Sequence, residues 1–381
     1  MKTVVLGGYG NFGARICRAL SSDSAPVELI VAGRDERKAA ALAQACGATA
    51  ARIDIADPAL PERLKRLGAE LVIHTAGPYQ AQGYEVARAC AQAAAHYIDL
   101  ADGRRFVCDF PDALDHAFRQ QGKLAISGAS SVPALSSAVI NHLTEGWRGI
   151  SDIDVCIAPA QTAPRGVATM AAVLTYCGAP IKVWQDGRWQ IRYGWDAPQR
   201  VAFARLQLRS AALCDIPDLE LFPAHYAGVQ SVMFRAALEV GIGQHGMALL
   251  AALRRRGLIG RPERMAGLLN GCAALLDPFG SSLGGMVVRV RGSGQDGKDI
   301  GGQWHIAADS DHGPEIPAMA AILLARRLAR GQLTQVGATT ALGLLTLADF
   351  ESEFAKWDMV CDQGPSMQAI GYDGTSTKHT R

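Results

Sequence analysis

The chain has 381 residues, 49% of them hydrophobic and 19% charged, with a formal net charge of +2 at neutral pH. That length outgrows one ordinary core and asks for two domains, while the balanced charge gives no ground for a nucleic-acid partner or an anionic membrane. No apolar run approaches the ~20 residues that cross a bilayer, and nine cysteines without a C-x-x-C pair support neither a disulfide framework nor a metal site.

Lys2 to Leu6 is a short run rich in β-branched residues, and from Ala14 onward Ile16, Ala19 and Leu20 recur at helical spacing. Between them Gly8, Gly10 and Gly13 match G-x-G-x-x-G, where the first glycine permits a tight turn, the second admits a pyrophosphate and the third brings helix close to strand. The helix beginning near Asn11 and Phe12 would aim its free N–H groups at phosphate. With the first residue entering a strand and no signal peptide in front of it, a cytoplasmic protein is expected.

A second strand, "VELIVAG", ends at Gly33 and is followed by Arg34 and Asp35. An NAD site usually places a carboxylate there for the ribose 2′-hydroxyl. Arg34 suits a 2′-phosphate instead, with Lys38 one turn along, so NADP is expected over NAD. Asp35 is either a ribose ligand or the N-cap of the helix starting near Glu36. Asp54, ending the third strand, accepts from adenine or caps the next turn. After the fourth strand Ala76, Gly77 and Pro78 form a small rigid loop, read as a contact for the nicotinamide half or as an ordinary turn. His74, inside that apolar strand, reads as a core histidine.

Strand and helix go on alternating through "HYIDLAD", a helix over Ala113 to Gln120, and "KLAISGA". The pattern specifies an α/β fold with a mostly parallel, doubly wound sheet over residues 1–130, whose ligands bind at the carboxyl ends of the strands. Near Ser151 the pattern changes to alternating strands with D-G and G-S-G turns, interrupted by "MALLAALRRRG" and "PERMAGLLNGCAALL". Residues 131–312 therefore read as a second α+β domain on a largely antiparallel sheet, for substrate or dimer contacts. Residues 313–381 open with an amphipathic helix, "GPEIPAMAAILLARRLARG", expected to return to the first domain, and end in a polar tail expected to fray.

Taken together, "VLGGYGNFG", "VAGRDERKAAALA", "HTAGPYQAQG", "ACAQAAAHYIDLADG" and "GASSVPALSS" resemble the saccharopine dehydrogenase-like family of NADP-binding oxidoreductases, in its bacterial branch. The resemblance implies a Rossmann domain, NADP(H), a second domain whose large sheet often makes a homodimer, and redox chemistry at a C–N bond of a small molecule. Similar members include saccharopine-forming reductases, amino-acid dehydrogenases, carboxyspermidine-type synthases and enoyl reductases acting on lipid chains. This chain reads "DLADGRR" where relatives tend to read "DLTGE", so the acidic residue expected after the fifth strand is either Asp102 or absent. No lysine stands in the loops after strands four or five, which argues against a lysine-assisted mechanism.

The candidates for chemistry lie in the cleft-facing loops. Tyr79 is able to donate a proton or to lie as a lid over the ring, and Asp99 and Asp102, followed by Arg104 and Arg105, can titrate an amine and hold a carboxylate, or pair locally at a surface turn. Ser130 and Ser131 either bind an anion at a helix N-terminus or cap it. Arg165 and Thr169 mark a loop-to-helix junction suited to a carboxylate or phosphate, and His312 precedes the returning helix. Arg254, Arg255 and Arg256, beside Leu249, Leu250 and Leu253, form a lid over a greasy substrate, a core stripe or a dimer face. Three readings stay open: an NADP(H)-dependent oxidoreductase acting at an imine or amino acid, an enoyl or ketone reductase on an apolar substrate, and a non-catalytic NADP-binding sensor. Convergent carboxylates, a long apolar tunnel and a blocked nicotinamide pocket respectively distinguish them.

Overall fold

A computed structural model describes residues 1–22, 26–196 and 198–365; the tail expected to fray, from Gly371 on, lies outside the described residues. In the first domain strands β1 (Lys2–Leu6), β2 (Glu28–Gly33), β3 (Thr49–Arg52), β4 (Leu71–His74), β5 (His96–Asp99) and β6 (Leu124–Ser127) alternate with helices α1 (Asn11–Ser21), α2 (Glu36–Ala45), α3 (Leu60–Leu67), α4 (Glu85–Gln92), α5 (Arg104–Cys108) and α6 (Phe110–Gln120). All pairings in the sheet are parallel, in the order β3-β2-β1-β4-β5-β6. The period-2 alternation of each strand feeds two separate cores. Val5, Val31, Ile73, Ile98 and Ile126 belong to the core that includes residues of α1 and α2, while Val4, Leu6, Ile30, Val72, Tyr97 and Ala125 belong to the core that includes residues of α3, α4 and α6. The strand order reverses between β1 and β4, the crevice where such sheets bind ligands.

The chain leaves through α7 (Ser136–Leu143) into β7 (Gly149–Ala158), α8 (Val167–Tyr176), β8 (Pro180–Gln185), β9 (Arg188–Tyr193), β10 (Gln199–Val201), β11 (Arg209–Leu213), α9 (Asp218–His225), β12 (Ser231–Ala237), α10 (Gly241–Arg255), α11 (Ala266–Ala274), β13 (Gly284–Ser293) and β14 (Asp299–Ala308). The second sheet runs β10-β11-β12-β7-β13-β14 and continues to a last strand, β16 (Val360–Pro365), with the β8–β9 hairpin leaning on β12. It is antiparallel except where β12 lies parallel to β7, a pairing of strands far apart in the chain that local patterning does not reveal. The D-G turn between β8 and β9 holds Asp186 and Gly187 at φ of 54° and 68°, as a two-residue hairpin requires. "RVAFARLQL", expected as one strand, is strand only at its start, in β10, and the rest forms the connection to β11, in which Phe203 packs with Val201 against Cys156 and Val287.

The returning helix is α12 (Ile316–Ala329), which packs on α1 and is followed by β15 (Gly337–Thr340), paired in parallel with β6 as a seventh strand of the first sheet. Then come α13 (Leu347–Phe354) and β16, so the C-terminal stretch supplies strands to both sheets as well as helices. One continuous apolar core joins the domains through α7 and α12, from Val5 and Ile16 to Trp304 and Phe350. Leu324 lies in it, fully buried. Leu324→Ala is expected to lower the unfolding free energy by about 2–5 kcal/mol in urea titrations; a loss under about 1 kcal/mol would mean that α12 is not part of this core.

Candidate functional site

The turn after β1 is built by what its glycines lack. Gly7 sits at φ 77°, a conformation open to glycine. A Cβ on Gly8 would stand 2.9 Å from Val31 Cγ1, and one on Gly13 would stand 2.8 Å from both Gly8 Cα and Thr75 Oγ1. Helix α1 can therefore start directly over the strand tip. Its N-cap is Gly10, which offers no side chain, and the first turn carries no acidic residue. The backbone N–H groups of Asn11, Phe12 and Gly13 have no acceptor among the described residues, so the positive end of the helix is open to an anion. This cradle fits a dinucleotide pyrophosphate. Phe12 is half-buried against the core, and the Asn11 side chain is committed elsewhere, donating from Nδ2 to the carbonyl of Pro164 at 3.0 Å. Gly7 and Thr75 belong to the cradle although no motif position named them. Thr75 Oγ1 donates to Leu6 O at 2.8 Å, tying β4 to the turn.

At the tip of β2 Tyr9 lies flat over Gly33, where a Cβ would meet its ring carbon Cζ at 2.8 Å. The Tyr9 hydroxyl accepts from the N–H of Asp35 at 2.9 Å. Asp35 Oδ1 accepts from the N–H groups of Arg37 and Lys38, 3.1 Å each, so of its two readings the N-cap is the one realised. Arg34 beside it is exposed and has no ion pair or hydrogen bond among the described residues. Asp54 likewise closes a turn, Oδ1 accepting from Ala56 N–H at 3.1 Å.

The loop Ala76–Pro78 is held by Gln82, whose Nε2 donates to the carbonyls of Ala76 (2.7 Å) and Pro78 (3.1 Å). Tyr79 corrects an expectation. Its ring is buried and its hydroxyl donates to His74 O at 2.6 Å, so the proton is committed to the backbone rather than to a substrate. Burial raises that phenol well above 10. His74, buried beneath, meets the Tyr97 hydroxyl through Nδ1 at 3.0 Å, and desolvation lowers it to about 4, so it is a neutral core histidine.

Asp99 is fully buried at the end of β5, where Oδ1 gathers Ser127 Oγ (3.0 Å), Gly128 N–H (2.8 Å) and Ala101 N–H (2.9 Å). It pins the ends of β5 and β6, and burial still pushes its carboxyl up to about 6. Asp102 is half-buried and accepts from Gln80 Nε2 at 3.0 Å, which places it beside the Ala76–Pro78 loop; desolvation raises it too. Arg104 is tied to protein partners through Nε and Nη1. Buried, it reaches into the second domain, pairing with Asp215 (3.0 Å) and Glu220 (2.9 Å) and donating to Lys182 O (2.7 Å). Arg105 joins it on Glu220. Arg165 also has a protein partner, Asp277, and donates to Gln161 O. Ser130 and Ser131 lie in the turn ahead of α7, which begins at Ser136, and they cap no N–H. His312 Nδ1 faces Trp357 O at 3.3 Å.

Sequence reasoning passed over Tyr176. It ends α8, which touches the turn Tyr79–Ala81. Its phenol stays protonated, raised well above 10 by burial, then Cys214, then the charges of Asp102 and Asp215. Carboxylates from both domains thus bear on one tyrosine at the strand ends. A tyrosine ending an apolar helix gives no sequence signal of that. Among the described residues no cluster of histidine, cysteine and carboxylate groups is arranged to hold a metal ion.

Asp99 sets a pH dependence of known sign. Below about pH 4 it is protonated in both folded and unfolded chains; between about 4 and 6 the unfolded chain ionises first, so stability falls as pH rises. We expect the unfolding free energy to drop by about 2–3 kcal/mol more in this window than in Asp99→Asn. Identical pH profiles for the two proteins would remove Asp99 as the source.

Residues 3–129 match the family described as the saccharopine dehydrogenase NADP binding domain. The whole fold is similar to saccharopine dehydrogenase (L-Glu forming) from Saccharomyces cerevisiae, at TM-score 0.70 and 12% identity over 96% of this chain and 99% of that one. It is also similar to the homospermidine synthase of Legionella pneumophila, solved in complex with NAD, at TM-score 0.60 and 12% identity over 96% and 91%. No curated protein matches the chain in sequence. The likeness seen in its motifs therefore stands where the family model reaches: residues 3–129 are a nicotinamide-dinucleotide-binding domain of the saccharopine dehydrogenase type, in a chain that shares the fold of saccharopine dehydrogenase.

Proposed function

We propose that this chain is an NADP(H)-dependent oxidoreductase acting at a carbon–nitrogen bond, reducing an imine formed from an amine and an oxo acid or running the reverse. The observation that carries this reading is the placement of Asp102, a half-buried carboxylate after β5 that Gln80 Nε2 holds at 3.0 Å beside the Ala76–Pro78 loop. A half-buried carboxylate raised by desolvation gains from a cationic amine or iminium neighbour, whereas an enone or ketone brings no such charge. The dinucleotide supplies the hydride chemistry when bound. The residues that would hold it are Gly8, Gly10 and Gly13 with the first-turn N–H groups at the pyrophosphate, and Arg34 with Lys38 at the 2′-phosphate. Ala76, Gly77 and Pro78 would meet the nicotinamide half. Asp102 holds the substrate nitrogen, and Tyr176 keeps a proton within reach of it.

Arg34 has no protein partner to lose, so Arg34→Ala should weaken NADPH about 10–100-fold while changing NADH under about threefold, read by calorimetric titration; equal weakening of both would end the 2′-phosphate role. For the substrate, NADPH oxidation is followed with oxo acid plus amine pairs and, separately, with enones and ketones. Turnover of the first group, falling about 10²-fold in kcat/KM in Asp102→Asn, supports the reading. Turnover of enones unaffected by Asp102→Asn would replace it with reduction of an apolar substrate.

A further inference from the structure

Ile242, Leu249, Leu258, Leu268, Leu275 and Phe279 are each between 60% and 76% exposed, and the next most exposed large apolar side chain among the described residues is Ile191 at 56%. All six fall in one stretch of chain, α10, α11 and the turns that follow each. Ile242 and Leu249 are seven residues apart on α10; Leu268 on α11 is seven residues before Leu275, which caps that helix, with Phe279 in the turn four further on, so α10, α11 and its C-terminal turn show apolar side chains outward. Glycines 246, 267 and 271 keep these surfaces low, and a Cβ at any of them would meet nothing within 4 Å.

The same stretch is basic. Between positions 254 and 277 it holds five arginines against Glu263 and Asp277. Asp277 is taken by Arg165, Arg255 by Asp196, and Arg254 donates to the carbonyls of Thr175 (2.7 Å) and Cys177 (2.9 Å), fastening α10 to the end of α8. The side chains of Arg256, Arg261 and Arg264 are exposed and have no ion pair or hydrogen bond among the described residues. The near-neutral charge of the whole chain conceals this local surplus.

From this juxtaposition we infer that α10 and α11 form a docking face for an anionic lipid bilayer, the leucines and Phe279 entering the headgroup boundary and Arg256, Arg261 and Arg264 meeting phosphates. Apolar side chains bordered by unpaired arginines are the chemistry that an anionic surface recognises. A second copy of the same face would set arginine against arginine. No helix among the described residues is long and apolar enough to cross a membrane, so the contact is peripheral. It is independent of the substrate reading, although α11 packs on α8, the helix that ends in Tyr176.

The test is co-flotation of the full chain with vesicles of phosphatidylcholine and phosphatidylglycerol at about two to one, compared with phosphatidylcholine alone. Binding to the mixed vesicles, falling about tenfold or more in Leu268→Ser/Leu275→Ser/Phe279→Ser, in Arg256→Glu/Arg261→Glu/Arg264→Glu and at high salt, is expected. Should the serine variant fail to fold by circular dichroism, the glutamate variant carries the comparison. No flotation, equal binding to neutral vesicles, or a dimer in sedimentation equilibrium that the serine variant dissociates while the parent ignores vesicles would each overturn the inference.

Discussion

Everything at the strand ends depends on how closely α1 approaches β1. A side-chain carbon at Gly13 would overlap the backbone of Gly8 and the hydroxyl of Thr75, and one at Gly8 would press on Val31. With hydrogen in those places the helix begins on top of the turn and brings three unpaired N–H groups to one point. Thr75 then ties β4 to the same turn, fixing the Ala76–Pro78 loop relative to the cradle. The glycine turn and the Ala76–Pro78 loop are thus set relative to each other by one contact.

The second domain completes the cleft because charges hold it in place. Arg104 crosses from α5 to Asp215 and Glu220, with its guanidinium buried, and Arg15 on α1 meets Glu315, just ahead of α12, at 3.0 Å. Buried pairs like these add little net stability, but removing one partner strands the other, so they fix geometry. The pairing holds Asp215 on Arg104, while Gln80 holds Asp102 beside the loop after β4. Arg104 thereby serves as a clamp between the domains, where it was expected to hold a substrate carboxylate or to pair locally.

Much of this was legible in the sequence where the determinant is local. Period-2 runs alternating with helical spacing specified the doubly wound sheet, the glycine spacing specified the cradle, and an aspartate ahead of a helix announced the cap at Asp35. Resemblance to known motifs added the family. What escaped depends on contacts between residues far apart in the chain. Arg104 looked free because Asp215 and Glu220 lie more than a hundred positions later, and Tyr79 looked available because nothing local shows its hydroxyl folding back onto His74 O. Tyr176 became visible only when two domains brought carboxylates to it. The parallel pairing of β7 with β12 and the entry of β15 beside β6 are likewise long-range facts that no window of sequence contains.

The central claim is that one crevice holds a phosphorylated dinucleotide and delivers its reactive ring to the Asp102, Asp215 and Tyr176 group. A crystal structure of the chain with NADPH tests it most directly. The account requires pyrophosphate on the N–H groups of Asn11 to Gly13, the 2′-phosphate beside Arg34, and the nicotinamide over Ala76 to Pro78 with an open face toward Tyr176. A dinucleotide lodged elsewhere, or a nicotinamide turned away from Tyr176, would contradict it.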